Sequence, residues 1–87
     1  MVQIDSFKKW LKDNTEYSDA VIGDTASRMK RADSILEWND SDTYLFFLEK
    51  EQNFESLSVS VRSQIRKAVK LYSTYTNAVS ERRGENA

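Results

Sequence analysis

The chain contains almost no residues that break helices, and this constrains its fold more than any other feature. Its 87 residues include no proline, and glycine occurs only at Gly23 and Gly84. Because proline and glycine interrupt helices most strongly, so few of them favour helices joined by short polar loops. A chain of this length forms one small domain with a modest core. The sequence therefore predicts an all-α fold, with a single domain over residues 1–80 and a frayed, charged tail over 81–87.

The spacing of apolar residues predicts four helices. In the first, Phe7, Trp10 and Leu11 recur at i, i+3 and i+4. In chain order, the predicted helices run from about Ile4 to Asp13, from Asp19 to Trp38, from Asp42 to Gln52 and from Ser58 or Ser60 to about Arg83. The expected N-caps are Asp5 or Ser6 for the first helix, Ser18 for the second and Ser41 or Asp42 for the third. Short loops favour antiparallel neighbours, so the predicted architecture is a compact four-helix bundle.

The aromatic residues are numerous enough to build the core of such a bundle. The third helix is expected to bury Tyr44, Leu45, Phe47 and Leu48, with Phe46 widening the buried face. After it, Phe54 and Leu57 are expected to lie in a loop and pack against the core. Tyr72 and Tyr75 lie on or near the apolar stripe of the fourth helix, which predicts that they are core residues.

Gly23 lies inside the predicted second helix, where glycine costs about 1 kcal/mol relative to alanine. A glycine at such a position can permit the close approach of a neighbouring helix or a ligand. The alternative is that the position has no special requirement, and the sequence leaves both interpretations open.

The charges are unevenly distributed, although the net charge is only −1. Residues 39–56 include five acids and one base, whereas residues 58–83 include six bases and one acid. At about 100° per residue, basic residues cluster on a face of the fourth helix that is separate from its apolar stripe. The far face of the second helix is also basic, and such faces can hold a phosphate backbone. The candidate DNA-binding residues are Ser27, Lys30, Arg31, Arg62, Ser63, Arg66, Lys67 and Lys70.

The sequence lacks the residues that most enzymes and metal sites use. It has no histidine and no cysteine, so the commonest general base and the usual zinc ligands are missing. No Gly-rich phosphate loop is present, and the pairs of acids are explained by helix capping or by a solvated surface. We therefore expect no enzymatic activity, no cofactor, no metal and no small-molecule substrate.

The sequence also predicts where the protein resides. No apolar run approaches the roughly 20 residues that a membrane span needs, and the N-terminus is amphipathic and carries acids, unlike a secretory signal. We expect a cytoplasmic protein that does not contact membranes, which the absence of cysteine also fits.

Three stretches resemble one family. FKKWLKD (7–13), YSDAVIGDTASRMKRADSILEW (17–38) and LSVSVRSQIRKAVKLYSTYT (57–76) are similar to segments of the N-terminal, SAM-like core-binding domain of tyrosine recombinases of the phage-integrase type. The resemblance implies a small helical bundle whose second and fourth helices lie against DNA. It places Ser27, Lys30 and Arg31 of helix two, and Arg62, Ser63, Arg66 and Lys70 of helix four, towards the duplex. The family's catalytic domain has no counterpart in this chain, so the resemblance implies non-catalytic binding.

Two other functions remain open. The chain could be a small phage or mobile-element protein that binds another protein, as an inhibitor, adaptor or regulator, without contacting DNA. Its acidic segment and basic helix fit a charged partner or self-association, and an exposed phenylalanine at Phe46, Phe47 or Phe54 would mark the contact. Alternatively, the chain is a structural part of a larger integrase.

Overall fold

The protein is all-α, as the sequence predicts. The computed structural model describes the backbone of residues 2–85 and the side chains of residues 2–79. Within that range it contains no strand and has five helices instead of the four predicted. These are α1 (Ile4–Asn14), α2 (Asp19–Ile35), α3 (Tyr44–Lys50), α4 (Gln52–Glu55) and α5 (Val59–Glu85).

Helix starts are only partly as predicted. The predicted N-cap of α2 is confirmed, since the Ser18 hydroxyl accepts a hydrogen bond from the Val21 amide at 3.3 Å. Ser58 caps α5 in the same way, through the Val61 amide at 3.2 Å. The prediction for α1 is wrong: its N-cap is Gln3, which makes no side-chain capping hydrogen bond.

Helix α2 ends at Ile35, three residues earlier than predicted. Leu36 is extended, and the Trp38 amide donates to the Asp33 carboxylate at 2.9 Å, which closes the turn. Asp40 then takes a positive φ of 57°. Aspartate tolerates this left-handed conformation better than most residues. The polar segment thereby redirects the chain into α3.

A break at Glu51 divides the predicted third helix region into α3 and α4. Glu51 is extended, and the chain resumes a helix where a loop was expected. In an unbroken helix, Leu48 and Phe54 would lie about 120° apart around the axis. The break allows both side chains to reach the core, and both are almost completely buried.

A chain of edge-to-face aromatic contacts joins the helices. The Tyr72 ring of α5 lies 5.0 Å from Phe7 of α1 and 5.0 Å from Trp38, and Trp38 lies 4.8 Å from Tyr44 of α3. Such pairs each contribute about 0.5–1.5 kcal/mol beyond the area they bury. Tyr72 and Tyr75 are both buried, which confirms that they are core residues.

Two buried tyrosines also hydrogen-bond to distant backbone. The Tyr72 hydroxyl accepts from the Gln3 amide at 2.9 Å, and the Tyr44 hydroxyl donates to the Leu36 carbonyl at 2.6 Å. Burial raises the pKa of Tyr44 above its usual range, and the charge of Asp33 raises it further. Burial likewise raises the pKa of Tyr72. Both hydroxyls therefore stay protonated at neutral pH, and Tyr44 remains a donor.

The prediction that Phe46 and Phe47 are buried is wrong. Phe46 is 55% exposed and Phe47 is 53% exposed. Helix α3 has only seven residues, and Tyr44 and Leu48, at i and i+4, occupy its inner face. Phe46 and Phe47 lie on the other side of the helix, so the core cannot take them.

Helix α5 continues to Glu85, although the side chains beyond Val79 and residues 86–87 lie outside what the structure describes. The predicted frayed tail over 81–87 therefore stays a prediction. Among the described residues, no helix combines the length and the apolar character needed to cross a bilayer.

No neighbouring helix approaches Gly23 closely enough to require a glycine there. A Cβ atom placed on it would meet no atom within 4 Å, beyond its own neighbours in the chain and helix. We predict that Gly23→Ala raises the free energy of unfolding by about 0.5–1 kcal/mol, because alanine favours the helix without a clash. Urea denaturation measures this, and a destabilised variant would show that the position needs glycine.

The hydrogen bond from Tyr44 to Leu36 is expected to stabilise the turn between α2 and α3. We predict that Tyr44→Phe lowers the free energy of unfolding by about 1 kcal/mol, because a carbonyl loses its donor. Tyr75→Phe is the matched control, since Tyr75 is also buried and its hydroxyl makes no hydrogen bond among the described residues. Equal stability of the two variants in urea would contradict this role.

Candidate nucleic-acid interface

The candidate interface lies on α2 and α5, the helix pair with the most extensive packing in the described structure. Both helices bury small residues, Ala26 and Ala32 on α2 and Ala68 on α5. The apolar stripes that hold the helices together also fix which side chains remain at the surface.

The predicted residues on α2 are accessible. Ser27, Lys30 and Arg31 are all exposed, on the side of the helix away from its buried stripe. The described residues give Lys30 and Arg31 no ion-pair partner. Their charges are therefore free to meet a phosphate.

The predicted residues on α5 are divided between two surroundings. Ser63, Lys67 and Lys70 are exposed, whereas Arg62 and Arg66 are partly buried. Arg66 and Lys67 are neighbours in sequence and so lie about 100° apart around the helix. The sequence placed all five on one surface, but the fold brings only the exposed three to solvent in full.

Arg66 is already engaged within the protein. Its Nε donates to the Glu49 carboxylate of α3, and its guanidinium carbon lies 5.6 Å from the centre of the Phe54 ring. The side chain is 35% exposed, so this pair is only partly screened by water. Arg66 therefore fastens α3 and α4 to α5.

Arg62 lies near the start of α5, four residues before Arg66, and is also partly buried. Its Nε is buried and has no hydrogen-bond partner among the described residues. The remaining guanidinium N–H groups are further donors, and the side chain as a whole is partly exposed. Arg62 is thus less free to turn towards a ligand than the exposed lysines.

An open cleft of about 220 Å³ between α2 and α5 brings two basic residues together. Arg28 reaches it from α2 and Lys67 from α5, and no carboxylate is among its lining residues. Lys67 also lies 5.8 Å from the centre of the Tyr17 ring at the other wall. The lining residues are Tyr17, Val21, Thr25, Arg28, Gln64, Lys67 and Ala68.

Arg28 is a candidate that the sequence reasoning missed. Val21, Thr25 and Arg28 recur at i, i+4 and i+7, which places Arg28 at the border of the buried stripe. That spacing was readable in the sequence, but the position of α5 beside it was not. No ion pair of Arg28 is recorded within the described residues.

A second basic surface lies on α1 and is less suited to an anion. Lys8, Lys9 and Lys12 line a shallow depression of about 350 Å³ together with Asp19 and Ile22. Lys12 pairs with Asp19 at 3.5 Å, and both side chains are largely exposed. The carboxylate weakens the positive potential there, whereas the cleft of Arg28 and Lys67 contains none.

The donors that line the cleft are the last feature of the candidate interface. The described residues contain no group of three or more acidic side chains arranged to hold a metal ion. What the cleft offers is a guanidinium, an ammonium, an amide and a phenol, all suited to hydrogen-bond a phosphate oxygen.

Arg66 should contribute more to stability than the exposed Lys70. We predict that Arg66→Ala lowers the free energy of unfolding by about 1–2 kcal/mol, because the ion pair and the packing on Phe54 are lost. Lys70→Ala is the control and should change it by no more than about 0.5 kcal/mol. If urea denaturation gives the same value for both, Arg66 does not fasten the helices.

Comparison with known proteins leaves the geometry as the main guide to function. The chain matches no family model, no curated protein sequence and no solved structure. The resemblance to the core-binding domain of tyrosine recombinases stays a prediction that the comparisons do not test.

Proposed function

We propose that this chain is a non-catalytic module that binds duplex DNA through the basic surface of α2 and α5. The observation that carries the proposal is the convergence of Arg28 and Lys67, from two helices, on one open cleft that no carboxylate lines. In this proposal the exposed Arg31 of α2 and Lys70 of α5 extend the positive surface, whereas Lys30 lies about 160° around α2 from Arg28 and does not.

The residues suggest contacts to the phosphate backbone. The Arg28 guanidinium can hold a phosphate through two parallel N–H bonds, and the Lys67 ammonium adds a point charge. Gln64 and Ser63 can donate further hydrogen bonds. Contacts of this kind position a protein on DNA without reading its sequence.

In this proposal, Arg62 and Arg66 contribute little to DNA binding. Arg66 is occupied by Glu49 and Phe54, and the Nε of Arg62 is buried. With fewer phosphate contacts than the sequence suggested, the isolated chain should bind weakly and with a strong dependence on salt. The uneven charge would also orient the molecule, with its acidic segment 39–56 turned away from the duplex.

The resemblance to the SAM-like core-binding domain of tyrosine recombinases supports the same function. We propose that the fold is a variant of that four-helix bundle, in which the short α4 is an additional turn within the connection to α5. The two helices that the resemblance places against DNA are the two that form the cleft.

The test is fluorescence anisotropy of a labelled random-sequence duplex across a range of salt concentrations. We predict that Lys67→Gln weakens binding and reduces the slope of log K against log salt by about 1, because one phosphate contact is lost. Lys50→Gln removes the same charge from α3 and should leave the slope unchanged. A wild-type chain that fails to bind at low salt, or equal effects of the two variants, would contradict the proposal.

A further inference from the structure

Two adjacent phenylalanines on α3 form an exposed aromatic pair. The rings of Phe46 and Phe47 meet edge to face, with centroids 5.4 Å apart, and each side chain is more than half exposed. Val21 and Val59 are the other exposed large apolar residues of the described structure, and each is a single, smaller side chain. Tyr44 and Leu48 already fill the inner side of α3, so the rings of Phe46 and Phe47 are not part of the hydrophobic core.

The surroundings of the pair are acidic. Asp42 lies two residues before the start of α3 and is exposed, and Glu51 and Glu55 follow the helix. Of the nearby charges, Glu49 is neutralised by Arg66, and Lys50 lies over the Phe46 ring at 4.3 Å. The segment that carries the pair, residues 42–55, therefore keeps a net negative charge, although Lys50 lies on the pair itself.

The chain itself shows what such a surface binds. Lys50 lies over Phe46, and on the inner side of the same region Arg66 lies between the Phe54 ring and the Glu49 carboxylate. Phenyl rings attract cations through their negative faces, and a neighbouring carboxylate strengthens the contact. The Phe47 ring has no cation recorded over it in the described structure.

We propose that Phe46, Phe47 and Asp42 form a docking surface for another protein, through a segment that carries arginine or lysine next to apolar side chains. The apolar side chains would cover the two rings, and the cations would meet the ring faces and the acidic border. A second copy docked through the same surface would bring the acidic borders of two chains together, which disfavours that occupant. The surface is separate from the cleft of Arg28 and Lys67, so the proposal does not depend on DNA binding.

The experiment is a selection of random short peptides displayed on phage, with the intact chain as target. A Phe46→Ser/Phe47→Ser variant serves for counter-selection, and its circular dichroism and melting temperature verify that it folds. Val59→Ser is the matched control, because Val59 is 71% exposed but lies on α5. Selected peptides are then synthesised, and their dissociation constants are measured by anisotropy.

We expect the selected peptides to combine Arg or Lys with apolar residues. The double variant should weaken their binding by at least about tenfold, as expected for the loss of central aromatic contacts, while Val59→Ser leaves it unchanged. Asp42→Lys should weaken the same peptides without unfolding the chain. The proposal is overturned if no peptides are enriched, if acidic peptides are enriched, or if the double variant binds as well as the wild type.

Sedimentation equilibrium of the chain alone tests the remaining alternative, in which a second copy of the chain covers the surface. The proposal predicts a monomer for the wild type and for the double variant. A wild-type dimer that the double variant abolishes would show that a second copy covers the surface, and would overturn the assignment to another protein.

Discussion

The structure depends on one chain of aromatic contacts that runs from α1 to α3 through α5. Tyr72 is its central residue: its ring contacts Phe7 and Trp38, and its hydroxyl holds the backbone of Gln3, 69 residues earlier. The Trp38 ring in turn contacts the ring of Tyr44. A domain this small has little area to bury, so contacts that link distant segments weigh heavily in its stability. Because the core fixes the rotation of α5, it also decides which of that helix's basic residues face solvent.

The rotation of α5 gives its basic residues different surroundings. Arg66 meets Glu49 and Phe54 and connects α5 to the acidic region, whereas Lys67 faces Arg28 across the cleft. Two of the exposed surfaces, the cleft between α2 and α5 and the aromatic pair on α3, have different chemistry. One is basic, lies between α2 and α5 and suits phosphates. The other is aromatic with an acidic border, lies on α3 and suits a basic, apolar segment of a protein.

Much of this fold was readable from the sequence, and the exceptions have physical causes. The long helices α1, α2 and α5 follow from apolar spacing and scarce helix breakers, and the cap at Ser18 follows from its residue type. The division between α3 and α4 was not readable, because it depends on where Phe54 must be buried. The ion pair between Arg66 and Glu49 could not be predicted from the sequence either, since the two residues are 17 positions apart. Arg28 becomes a site residue only once α5 is placed beside it.

The central claim is that the basic surface of α2 and α5, and not the surface of α3, contacts DNA. The most direct measurement is a titration of the 15N-labelled chain with a short duplex, followed through the backbone amide resonances. The account predicts shifts concentrated over residues 25–31 and 63–70, with the amides of Phe46 and Phe47 unchanged. Shifts centred on α3, or no shifts at low salt, would contradict it.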